Sequence, residues 1–208
     1  MSEKKRLPVR QSARRTIGGL IMAVGAALLV YAGAVTMRSW VWQIRHADRF
    51  ESALRPAACA DGPAGPEPLA SSRPARGGAL ARLRVPRLGI DVVVAEGTDP
   101  HTLSLGPGHL EGSALPGRPD NCIIAGHRDG PFGRLRDARP GDLVEIAETN
   151  VLERYRIDSI EIVAKTDTRP LASSNTPLLT LVTCYPFHYV GRSPQRFIVR
   201  AALIDRGS

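Results

Sequence analysis

The sequence predicts a mainly β domain, a small barrel or sandwich, carried behind one N-terminal membrane helix. Three observations predict it. Seven runs of β-forming residues follow one another at short spacing from residue 79 onward. Proline and glycine, 17 and 20 of 208 residues, punctuate those runs. Near the N-terminus, 22 residues in succession (16–37, "TIGGLIMAVGAALLVYAGAVTM") carry no charge.

The uncharged run comes first in the chain. At 1.5 Å per residue, a helix of that length covers the roughly 30 Å hydrocarbon core of a bilayer. Lys4, Lys5, Arg6, Arg10, Arg14 and Arg15 precede it against the single acid Glu3. That bias places residues 1–15 in the cytoplasm as a basic tail and makes 16–38 a single-pass signal-anchor. Everything after it is then extracytoplasmic, at the inner or plasma membrane. Trp40 and Trp42 stand where interfacial aromatics gather. A cleaved signal peptide, cut near Ala32-Gly33-Ala34, is the alternative; the run exceeds an ordinary signal-peptide core.

Residues 39–79 read as a juxtamembrane helix followed by a linker. "WVWQIRHADRFESALR" (40–55) is amphipathic, and "PAACADGPAGPEPLASSRPARGG" (56–78) is rich in Pro, Gly, Ala and Ser without periodicity.

Residues 80–208 form the folded domain. The expected strands cover 79–85, 90–96, 121–127, 143–148, 154–163 (one bent strand or two), 178–184 and 196–204. "TDPHTLSLG" (98–106) has room for one helical turn capped by Thr98 or Asp99. Short strands with little helix favour closure, because closure removes unpaired edges.

The formal charge of +8 invites a nucleic-acid reading, and its distribution excludes one. Residues 1–79 hold 12 Lys/Arg and 5 Asp/Glu out of 28 and 20, leaving 16 and 15 for the folded domain. A nucleic-acid-binding domain concentrates positive charge on itself.

The chemistry rests on cysteine and histidine. Cys184 ends the run "LLTLVTC". Leu179 and Leu181 share one face with Thr183, so if they face the core, Cys184 faces a surface groove at a strand end. In the last strand Phe197, Val199, Ala201 and Leu203 share the core face and Arg196 points outward. A cysteine nucleophile needs a base or cation beside it. His127 ends the apolar run "NCIIAGH" and opens a polar loop, a placement like that of Cys184. His188 is the rival base, and His109 in "GPGHLEGSALPG" is a further groove-lining candidate; His101 reads as a surface residue.

Other roles for these residues stay open at this point. Three cysteines leave one unpaired in any disulfide scheme. Cys59 falls in the linker. Cys122 reads as a small core hydrophobe, with pairing to Cys59 or Cys184 as the alternative. Cys122-x4-His127 and Cys184-x3-His188 are spacings a zinc site uses. On a strand, however, residues five apart point to opposite faces.

Taken together, "TLVTC" (180–184), "IIAGHRD" (123–129), "CYPFHYVGRSPQRFIV" (184–199), "RLRVPRLGID" (82–91) and "GPGHLEGSALPG" (106–117) resemble the sortase family of membrane-anchored cysteine transpeptidases. The wording around "CYPFHYVG" looks most like class D, or the related Gram-negative type. Gly130-Pro131 departs from the bulkier residues expected after GHRD.

The resemblance implies a closed eight-stranded β-barrel with Cys184, His127 and Arg196 as the catalytic set. Arg192 competes with Arg196 for the arginine role. Thr183, His109 and His188 are implied as substrate-side or supporting residues. The implied substrates are secreted proteins with C-terminal LPxTG-like sorting signals, and the implied acceptor is an amine of the cell envelope. No cofactor and no metal enters this chemistry. A hydrolase using the same thioester and a non-catalytic binding barrel are the alternatives.

Overall fold

The computed structural model describes residues 9–51, 73–189 and 191–207. The chain divides into two compact units, Met1–Ser39 and Trp40–Ser208. A single helix, α1 (Val9–Ala47), opens the described chain, and a 3-10 turn (Asp48–Phe50) follows it. In the first unit its apolar side chains are bare: Leu20, Met22, Leu29, Val30 and Tyr31 are each about two-thirds exposed or more. Among the described residues it is the one helix long and apolar enough to cross a membrane. Water would not tolerate such a surface, and lipid would cover it.

In the second unit, eight strands close into a barrel: β1 (Ala79–Val85), β2 (Ile90–Glu96), β3 (Gly108–His109), β4 (Asp120–Ala125), β5 (Leu143–Ala147), β6 (Leu152–Ala164), β7 (Pro177–Tyr185) and β8 (Gln195–Gly207). The order around the barrel is β1-β2-β3-β4-β7-β8-β6-β5, with β5 pairing back to β1. The pairs β2–β3 and β4–β7 are parallel and the remainder antiparallel. Alternation sets the faces. Leu83 and Val85, Ile90 and Val92, Leu179 and Leu181, and Phe197 and Val199 enter the core, while Arg82, Arg84 and Asp91 pair outside. A short α-helical turn between β2 and β3, α2 (Pro100–Leu103), is capped by Asp99, whose carboxylate accepts from the amides of His101 and Thr102.

The end of α1 is part of the barrel's packing. Gln43 meets β2 as another strand would: its Nε2 donates to the Val93 carbonyl (3.0 Å) and its Oε1 accepts from the Val93 amide (2.7 Å). Phe50 is buried with Val93 and Ala147, and Glu51 pairs with Arg82 at 2.6 Å. "DVVVAE" explains the fit. Val92 and Val94 face the core, so Val93 points outward and needs a cover.

Candidate active site

β4, β7 and β8 lie side by side, and their ends build one groove. β7 supplies Cys184. Leu178 and Thr180, on the same outer face, are covered: Thr180 donates to the Asn121 side chain, whose amide donates to the carbonyls of Pro170 and Ala172. The β6–β7 connection therefore roofs the start of that face and leaves its end open. Cys184 is half-buried and free.

β8 supplies Arg196, directly opposite Cys184 in the antiparallel register. Opposed residues in such a pair share a face, with their Cβ atoms about 5 Å apart. Arg196 Nη1 donates to the Gln195 carbonyl at 3.0 Å and lies 3.4 Å from the Ser193 carbonyl. Those bonds hold the guanidinium itself at the groove rim.

β4 supplies His127. Ala125 pairs with Val182, and the Gly126 amide continues the ladder to the Val182 carbonyl at 3.0 Å. Counting on in this parallel register brings His127 level with Cys184. Gly126 has a physical reason: a Cβ there would stand 2.6 Å from the Phe132 ring, which packs against this backbone. "PFGRLRD" (131–137), read from sequence as loop, is a 3-10 turn that buries Phe132 and Leu135.

The groove encloses about 370 Å³ and is lined by His127, Arg128, Asp129, Lys165, Cys184, Gly191, Arg192, Ser193 and Arg196. A second pocket of about 330 Å³, lined by Gly89–Val92, Gly130, Pro131 and Arg134, holds no nucleophile. The acid in that pocket, Asp91, is taken up by Arg82 and Arg84.

The three expected catalytic side chains thus line one groove; of the three expected supporting ones, Thr183 braces it from inside the barrel, and His109 and His188 lie outside its lining. Thr183 faces inward, is buried, and donates to the Gly126 carbonyl at 2.8 Å. It ties the cysteine strand to the histidine loop, supporting the site by hydrogen bonding from the core side. His109, expected to line the groove, is fully buried in β3. Its Nδ1 meets Glu96 at 2.8 Å and its Nε2 meets the Ala114 carbonyl at 2.8 Å and Ser113 Oγ at 2.9 Å. His188 is exposed and outside the groove lining. Arg192 is an exposed groove residue without the cross-strand relation of Arg196.

Cys122 is buried in the core and unpaired with Cys184; burial pushes its thiol far up, away from thiolate chemistry. With Cys122 inside the barrel and His127 in the outer groove, the zinc spacing does not converge. Cys59 lies outside the described residues.

The functional residue that sequence reasoning missed is Arg128. Its side chain is only 10 % exposed, and it fastens the β7–β8 connection to the histidine loop. One nitrogen donates to the Pro186 carbonyl (2.9 Å) and Ser193 Oγ (2.7 Å); the other donates to the carbonyls of Tyr189 and Gly191. The guanidinium also lies over the Tyr189 ring, 5.8 Å from its centroid. Below the groove, Tyr185, Phe187 and Phe197 form a ring cluster with centroids 5.1–6.3 Å apart that pins the residues after Cys184.

The second unit is thus a closed mixed barrel of eight strands with a free cysteine, a histidine and an arginine on one outer groove. The family description "Sortase domain" matches residues 83–204, more than half of the chain, and the chain belongs to the sortase family. Sortase D of Bacillus subtilis (strain 168) is 34% identical over 131 residues, which is 62% of this chain and 66% of that protein. The chain thus spans just under two thirds of this relative. Among solved structures, a Clostridium perfringens Sortase D5 transpeptidase superposes with a TM-score of 0.58 at 30% identity, over 62% of this chain and 81% of its own. The catalytic domain of B. anthracis SrtD does so with 0.57 at 30% identity, over 66% and 94%.

Proposed function

We propose that this chain is a membrane-tethered cysteine transpeptidase that cleaves an LPxTG-like sorting motif after its threonine and passes the acyl group to an amine. The single observation that carries the reading is the opposition of Cys184 and Arg196 in a groove that His127 also lines. The Cys184 sulfur, as thiolate, adds to the threonine carbonyl carbon. The C–S bond forms, and electrons move onto the carbonyl oxygen. Arg196, fixed at the rim, stabilises that oxyanion. When the tetrahedral adduct collapses, the C–N bond breaks and His127 gives its proton to the departing amine. The thioester waits until an incoming amine attacks the same carbon. His127 takes the amine's proton, and the sulfur leaves as thiolate. Atoms and charge balance over the two steps without a further reactant.

The anchoring helix supports a single-pass location with the barrel outside the cytoplasm, since the basic residues precede the apolar run. Substrates are then secreted proteins bearing the motif, and the acceptor an amine of the cell envelope. Sharing one membrane raises the effective concentration of enzyme and substrate. The test is turnover of a fluorescent LPxTG-type peptide by the detergent-solubilised chain, with and without an added amine. A new amide product is expected. Free acid alone makes the chain a hydrolase. No turnover, with no labelling of Cys184 by a vinyl sulfone, makes it a binding barrel.

A further inference from the structure

We propose that the groove selects a substrate carrying a carboxylate close to the bond that is cut; the inference rests on the transpeptidase reading and names its substrate chemistry. The groove is lined by four cations, Arg128, Lys165, Arg192 and Arg196, and by one acid, Asp129. The imbalance is local, because residues 80–208 as a whole hold 16 cations and 15 acids.

Two of the four cations have other work. Arg128 is nearly buried and turned to the carbonyls of the β7–β8 connection. Arg196 faces Cys184, where the oxyanion forms. Lys165 and Arg192 remain, both exposed, with no ion pair among the described residues.

These two share one rim. Val163 pairs with Arg196 and Ala164 with Gln195, and the Lys165 amide donates to the Pro194 carbonyl at 3.0 Å. Lys165 at the end of β6 is therefore stitched to the connection that carries Arg192. Asp129 stands on the other side, two residues past His127 and 86 % exposed. Arg128 Nε lies 3.8 Å from Asp129 and offsets its charge, so the groove is polarised across its width, close to neutral beside β4 and doubly cationic beside β8 and β6. A peptide lying over Cys184 with a carboxylate toward the cationic rim gains two attractions, and an ammonium there meets two repulsions. Both cations are solvated, so the preference is screened by salt.

The carboxylate has two sources, the sorting peptide or the amine acceptor. The two half-reactions separate them, because acylation sees only the peptide and deacylation sees the acceptor. With the full chain in neutral detergent, the first arm compares LPxTG peptides in which x is Glu, Gln or Lys, using one uncharged amine. The second arm keeps the Gln peptide and compares an amine bearing a free carboxylate with its amide. A preference for the acidic form of about tenfold in kcat/KM at low ionic strength, shrinking at high salt and reversed in the double variant K165E/R192E, supports the proposal. The responding arm names the source.

Equal rates across both series, or a preference untouched by the double variant, overturn it while leaving the transpeptidase reading intact. If no peptide turns over and Cys184 resists thiol probes, the reading itself fails and takes this proposal with it.

Discussion

Cys184 on β7 and Arg196 on β8 stand directly opposite one another in an antiparallel pair. The relation of the two backbones is set by the strand ladder, and the guanidinium is tied at the rim to the Gln195 carbonyl at 3.0 Å. Preorganised donors of this kind act on the transition state without a reorganisation cost.

Arg196→Ala should therefore lower kcat by about 10²–10³, with kcat/KM falling alongside it. Arg196→Lys should recover only part of this, because an ammonium lacks the planar fork. Labelling of Cys184 by a small vinyl sulfone should persist in both variants, since that reagent forms no oxyanion at the rim. Steady-state kinetics with the peptide and mass spectrometry of the labelled protein check the two halves.

Arg128 does a different job. Its bonds join the histidine loop to the β7–β8 connection and give the groove a wall. Arg128→Ala leaves several carbonyls without their charged donor, at a cost of about 2 kcal/mol in stability. Peptide KM should rise about tenfold with a smaller change in kcat. Arg128→Lys should not rescue KM, because one ammonium cannot reach four acceptors on this spread. Denaturant midpoints and a KM-against-kcat comparison test it.

Much of the barrel was legible because alternation reports which face is buried. Expected 79–85 and 90–96 are the observed β1 and β2, and the last strand placed Arg196 outward as found. The three groove-lining residues were legible because each sits at the edge of an apolar run, His127 and Cys184 at its end and Arg196 at its start. The eighth strand was not: Gly108–His109 is two residues long, too short to carry a period. His109 was misplaced because its partner Glu96 lies 13 residues away on another strand. Arg128 looked like loop polarity because its acceptors are three carbonyls and the Ser193 hydroxyl, 58 to 65 residues on, and carbonyls leave no mark in a sequence. Val93 did leave one, an outward apolar residue in a half-buried strand. Only the structure says that Phe50 and Gln43 answer it.

Glu153 on β6 gives the domain a pH dependence apart from catalysis. Burial, with the charge of Glu148 adding to it, pushes its carboxyl up to about 7; Arg206, 3.5 Å away, pulls the other way. The folded state thus holds a proton more tightly than the unfolded chain, whose Glu titrates near 4.5. The associated stability is fully present below that lower value and is lost as pH rises through about 7, by roughly 2–3 kcal/mol. Urea midpoints measured between pH 5.5 and 8.5 should fall as pH rises. In Glu153→Gln this part of the slope should vanish, leaving the variant the more stable protein at pH 8.5.

We infer that Trp40–Glu51 belongs to the folded catalytic unit and is more than a spacer before it. Phe50 is buried against Val93 and Ala147, Gln43 pairs with both backbone groups of Val93, and Glu51 holds Arg82. Arg73 donates to the Ser113 carbonyl at 2.8 Å, a further contact of the residues before β1 with the barrel. Phe50→Ala opens a cavity in this contact and should cost about 3 kcal/mol. Gln43→Ala strips partners from the Val93 backbone and should cost about 1–2 kcal/mol. A domain truncated at residue 56 loses all of these contacts and exposes Val93 to water. It should unfold at lower urea than one starting at residue 40. Equal midpoints for the two truncations would mean that the helix end rests on the barrel without stabilising it.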